Sequence, residues 1–162
     1  MKTLNKLIFI GCILLFSMSC EKSETLPNPV VPEGETVVIG QYEFSVVGEH
    51  DLVVDQGIDS QIGSLIAGAV HLRYDYGWYT GPVSNLPPDQ YEVEEVTIDG
   101  HYRQIVKSID PALGYVRIHF YKIDDKLASP HGYNSLTMES KDLSPADQAE
   151  ALTIIYTGVA ID

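Results

Sequence analysis

The stretch Glu92-Val93-Glu94-Glu95-Val96-Thr97-Ile98-Asp99-Gly100-His101-Tyr102-Arg103-Gln104-Ile105-Val106-Lys107-Ser108-Ile109 holds the decisive local pattern of the chain. Asp99-Gly100 separates two runs rich in β-branched and aromatic residues, and Asp and Gly both tolerate the positive φ of a two-residue turn. Residues 92–98 and 101–109 are therefore predicted as the two arms of a β-hairpin.

The same period continues on either side. Downstream, Val116, Ile118 and Phe120 alternate with Arg117, His119 and Tyr121, as in a strand with one buried face. Upstream, Val70, Leu72, Tyr74 and Tyr76 share one face of a strand, with His71, Arg73 and Asp75 on the other. Tyr42, Phe44 and Val46 alternate with Glu43 and Ser45 after the apolar residues 37–39 and a Gly40-Gln41 turn, which predicts an opening hairpin.

One helix is expected. Ser144 can cap free backbone N–H groups, Pro145 suits the first helical position, and Asp147 complements the helix dipole. The helix should run to about Tyr156, with Leu152, Ile155, Tyr156 and Val159 on one packing stripe, and hand over to a short final strand. The expected fold class is α+β: an antiparallel β-sheet of several strands packed by a C-terminal helix, which admits an α/β/α sandwich.

With 162 residues, 44% apolar and 20% charged, the chain has the composition of one ordinary globular domain, not of a disordered or collagen-like chain. Its net charge of −13 is the wrong sign for neutralising nucleic-acid phosphates.

The N-terminus carries an address. Lys2 and Lys6 precede the apolar residues 7–16, and Ser17, Met18 and Ser19 lead to Cys20, the order of a secretory signal. The apolar run is about half of the roughly 20 residues that a spanning helix needs. Phe16-Ser17-Met18-Ser19-Cys20 resembles a bacterial lipobox with Ser in place of Leu at its third position before Cys; with Glu21-Lys22 it looks like the lipoproteins of the Bacteroidota. The resemblance implies cleavage before Cys20 and lipid on that residue; the alternative is a plain signal peptide cut near Ser19, with Cys20 an ordinary thiol. Cys12 lies within the signal, so Cys20 is the sole mature cysteine and no intramolecular disulfide can form. Loss of residues 1–19 removes two lysines and no acids, taking the net charge to −15.

The expected organisation is a signal peptide over 1–19, a lipidated Cys20 and flexible tether over 20–35, and one globular domain over 36–162. Pro27, Pro29, Pro32 and Gly34 break regular structure in the tether, which spans at most about 50 Å. Localisation in the cell envelope follows, on a bacterial membrane through the lipid. Gly57-Ile58-Asp59-Ser60 with Gly63, then Tyr74-Asp75-Tyr76-Gly77-Trp78-Tyr79 and the late helix, resemble small uncharacterised exported proteins of the Bacteroidota. In element order the domain is similar to PsbP-like domains, α/β/α sandwiches that mostly bind partners.

Motifs for chemistry are sparse. His50, His71, His101, His119 and His131 form no His-x-x-x-His or Glu-x-x-His pair, so neither metal nor cofactor is expected. His71, His101 and His119 alternate with core-facing residues, which places them on the solvent face. Glu49, Asp51, Asp55 and Asp59 lack the order of a calcium loop, and Asp124-Asp125 read as a turn. Ser60 lies in no nucleophile elbow, and no catalytic residue is assigned.

Residues 74–79 hold four aromatics in six positions and run into Thr80-Gly81-Pro82. Alternation sends Tyr74 and Tyr76 to the core and leaves Asp75, Trp78 and Tyr79 freer, either as strand-end packing or as a contact surface. Tyr102, Tyr115, Tyr121 and Tyr133 could enlarge such a surface. The ligand or partner surface is accordingly assigned to Asp75, Trp78, Tyr79 and His119. The expected function is a lipid-anchored, non-catalytic binding domain for a protein partner or a glycan. The alternatives are a small hydrolase or glycan-processing enzyme using carboxylates or His119, and a glycan-binding module built on Trp78.

Overall fold

The computed structural model describes residues 34–77, 80–98, 100–110, 112–121 and 135–161. The signal, Cys20, most of the tether, Trp78, Tyr79, Asp99, Asp124, Asp125 and His131 lie outside the described residues. The elements in chain order are β1 (Glu35–Ile39), β2 (Tyr42–Val46), β3 (His50–Gln56), β4 (Ser60–Ala67), β5 (Val70–Gly77), β6 (Tyr91–Ile98), β7 (His101–Ser108), β8 (Val116–Phe120), β9 (Ser135–Ser140), α1 (Pro145–Thr157) and β10 (Val159–Ala160). The fold is α+β, antiparallel sheets with one C-terminal helix packed on them.

β6 and β7 form the predicted hairpin, in register from Ile98↔His101 to Tyr91↔Ser108, with Gly100 at φ +77° in the turn. β6–β7–β8 is one antiparallel meander and β3–β4–β5 is another. β9 lies between them, antiparallel to both β5 and β8, and so completes a seven-stranded sheet of order β3-β4-β5-β9-β8-β7-β6. β1, β2 and β10 make a second sheet. β1 begins at Glu35, one residue inside the span assigned to the tether.

The core lies between one face of the larger sheet and a cover made of α1 and β2. Leu65, Leu72, Tyr74, Ile118, Phe120, Leu136 and Met138 meet Tyr42, Phe44 and Val46 of β2 and Ala151, Ile154 and Ile155 of α1. Phe120 centres the aromatic packing, with ring centroids 4.6 Å from Tyr42 and 5.7 Å from Phe44. Ser144 caps α1 as predicted, its Oγ accepting from the Asp147 N–H at 3.2 Å.

The packing stripe of α1 is rotated from the expected one. Ala151, Ile154, Ile155 and Thr157 are buried, Leu152 and Tyr156 sit half-buried at the margin, and Val159 belongs to β10. The small Ala151 lets the helix lie close on the sheets, whereas Tyr156 turns outward to donate its hydroxyl to Glu94 at 2.7 Å. The acidic stretch around Asp51 and Asp55 is a strand, β3, paired along its length with β4.

Candidate functional site

On the face of the larger sheet opposite α1, strand register assembles a polar row. Asp55, Ile62, Asp75, Thr137, His119, Gln104 and Glu95 stand side by side across all seven strands. One step along, Ser64, Arg73, Glu139 and Arg117 form a second row. Successive residues of a strand point to opposite faces, so the core residues between these rows leave the polar set on this side.

The segment after β5 crosses this face as a strap. Thr80 and Ser135 share a hydroxyl–hydroxyl hydrogen bond of 2.7 Å, and Ser135 donates to the Gly77 carbonyl at 2.6 Å. Arg117 Nη2 donates to the Gly81 carbonyl at 2.8 Å, and the Val83 N–H donates to Gln104 Oε1 at 2.9 Å. These bonds hold the strap above β7, β8 and β9.

His119 is only 3% exposed, not on the solvent face as its alternation with Ile118 and Phe120 predicted. Both faces of β8 are covered there, one by the core and the other by neighbours of the polar rows. Its Nδ1 lies 3.1 Å from Thr137 Oγ1 and its ring packs edge-on against Tyr121 at 4.8 Å. Burial, and secondarily the Arg117 charge, push its pKa down to about 4, so the ring is neutral at pH 7. His71 is exposed, as expected, and His101 is half-buried.

Beside the strap the two rows enclose a depression of about 340 Å³, whose lining includes Ser64, Arg73, Asp75, Thr80, Arg117 and Glu139. Glu139 Oε2 accepts from Arg117 Nη1 at 3.0 Å and from the Tyr115 hydroxyl at 3.2 Å. Burial and the Glu139 charge raise the Tyr115 pKa to about 12. Asp75 Oδ1 and Arg117 Nε are both buried and have no hydrogen-bond partner among the described residues. The site therefore offers an acceptor and a donor that are already desolvated, flanked by the exposed guanidinium of Arg73. Among the described residues, no three His, Cys, Asp or Glu side chains converge as metal ligands.

Of the predicted surface, the structure places Asp75 in the depression and His119 beneath the polar face, two strands apart. Trp78 and Tyr79 lie outside the described residues, between Gly77 and Thr80. Arg73, Arg117, Glu139, Thr80 and Thr137 are site residues that the sequence reading did not single out. The alternation of β5 and β8 already put Arg73 with Asp75 and Arg117 with His119. What it lacked was β9, which brings Glu139 and Thr137 between them. Comparison of the chain with protein-family models, with curated proteins and with solved structures found no match.

Proposed function

We propose that this protein is a lipid-anchored domain of the bacterial cell envelope that binds a ligand without transforming it, and that the depression between Arg73, Asp75 and Arg117 is its ligand surface. One observation carries the binding role: Asp75 and Arg117 line the same depression, and each holds a buried side-chain atom, Asp75 Oδ1 and Arg117 Nε, that is unpartnered among the described residues. An unsatisfied buried polar group costs about 1–3 kcal/mol, and a ligand group that pairs with it recovers that cost. Support for the anchor is the order of charge, apolar run and lipobox-like residues 16–20. The resemblance to PsbP-like domains agrees with a binding role. A two-layer α+β sandwich belongs to the same proposal, supported by α1 and the smaller sheet stacked on one face of the larger sheet.

The mixture of donors and acceptors favours a glycan in this role, since a sugar hydroxyl can donate to Asp75 and accept from Arg117 at once.

Two experiments test the reading. Labelled palmitate should enter the wild type and not Cys20→Ser; equal labelling of both would remove the anchor. Affinity capture from native membranes should retain material on the wild type that is lost from Arg73→Ala with Asp75→Ala. Identical recovery from both would remove the depression as the ligand surface.

A further inference from the structure

A second surface lies at the β3 edge of the larger sheet, separate from the anchor and meeting the depression at Asp55. β3 is the outermost strand at that end and, among the described residues, pairs with β4 alone. It exposes three consecutive apolar residues, Leu52 at 36%, Val53 at 44% and Val54 at 55%, between the exposed acids Asp51 and Asp55. The opposite edge, β6, is different in kind. It carries Glu92, Glu94 and Glu95, of which Glu92 is paired with Lys107 at 3.1 Å. Charges distributed along an edge protect it from adventitious pairing, whereas an exposed apolar edge is a template for another strand.

The pattern along β3 states what kind of strand fits. Asp51, Val53 and Asp55 face the polar side of the sheet, and Leu52 and Val54 face the side of the core. A second copy of the chain suits this edge poorly. Antiparallel pairing centred on Val53 would bring the apolar residues of both copies together, but it would set Asp51 opposite Asp55 at each end. Parallel pairing in register would set each Asp near its twin. Like charges directly opposite one another destabilise a strand pair, and opposite charges stabilise it.

We propose that the β3 edge binds an extended segment of another protein, added as an antiparallel strand, with an apolar residue opposite Val53 and basic residues opposite Asp51 and Asp55. Backbone hydrogen bonds would supply sequence-independent attraction, and the alternating side chains the selectivity. The acidic balance of the chain, −13, favours encounter with a basic partner.

The test uses the full chain purified in detergent and the labelled peptide Thr-Lys-Val-Ile-Val-Lys-Thr. A second peptide has Glu in place of the lysine that faces Asp51. The first should bind the wild type at least about fivefold more tightly than the second, and Asp51→Lys should reverse that order. Amide shifts on adding the first peptide should concentrate at residues 50–56 and spare residues 91–98. Failure of the first peptide to bind the wild type, equal binding of both, or shifts centred on β6 would overturn the proposal. So would sedimentation showing that the wild type pairs with itself through residues 50–56.

Discussion

The guanidinium of Arg103 in β7 donates through Nη1 to the carbonyl oxygen of Gly158, the residue that ends α1. Arg103 is fully buried, donates through Nη2 to the Ile98 carbonyl at 3.4 Å, and lies 4.7 Å from the centre of the Phe120 ring. The last turn of α1 has no basic residue of its own, so the cation that complements the helix C-terminus comes from the sheet beneath it. Arg103→Met keeps much of the volume but leaves the Gly158 carbonyl without this donor. It should cost about 2–3 kcal/mol, read as a lower urea midpoint; a midpoint within error of wild type would deny Arg103 this role.

His119 makes stability depend on pH in a defined window. Its pKa is lowered from 6.5 to about 4 by burial first and Arg117 second. Below about pH 6.5 the unfolded chain binds a proton on this ring that the folded chain resists until about pH 4. Stability from this group is therefore full above the window and falls as pH drops through it. The loss is on the order of 3 kcal/mol at about 1.4 kcal/mol per pKa unit. His119→Asn should lose less stability than wild type between pH 7 and pH 4.5, while the carboxylates common to both cancel in the comparison.

The strap can be tested through the same ring. Gln104 receives the Val83 N–H and shares a row with His119. Gln104→Ala should loosen the strap, admit water and let the His119 pKa rise toward 6.5 in an NMR titration. An unchanged titration would mean that Gln104 is not needed to keep His119 covered.

Gly63 fixes the distance between β4 and the Tyr74 ring. A Cβ at Gly63 would come 2.1 Å from the Val53 carbonyl oxygen and 2.5 Å from the Tyr74 hydroxyl. Gly63→Ala should therefore destabilise by about 1–3 kcal/mol and disturb the Tyr74 hydroxyl, which donates to the Val53 carbonyl at 3.4 Å. Calorimetry that finds Gly63→Ala as stable as wild type would show that β3 yields without cost.

Ser144→Ala removes the side-chain acceptor for the Asp147 N–H. The expected loss is about 1 kcal/mol, seen as a lower thermal midpoint, whereas Ser144→Asp should recover most of it.

The legible parts of the fold were those with strong local chemistry. The β6–β7 hairpin was readable because the Asp99-Gly100 pair sits between long alternating arms, and the start of α1 because Ser144, Pro145 and Asp147 act within one turn. β3 was not readable: Leu52, Val53 and Val54 are consecutive, and edge exposure permits acids on both sides of them. β9 offers only Leu136 and Met138 to the core, too short a pattern to mark a central strand. Asp75 was assigned correctly to the polar face by alternation alone. His119 was misplaced as exposed because the elements that cover it are held by Gln104, Arg117 and Ser135, partners that no local pattern names.

The insertion of β9 between β5 and β8 also orders events in time. A chain delivered from its N-terminus presents two three-stranded meanders before residue 135 arrives, each with an unfilled edge where β9 belongs. The seven-stranded sheet can close only when residues 135–140 reach both edges, and long-range closure of this kind slows folding and prolongs exposure to aggregation. Under the export proposed above, that interval would fall during or after passage across the membrane, where protection by a holding chaperone would matter most.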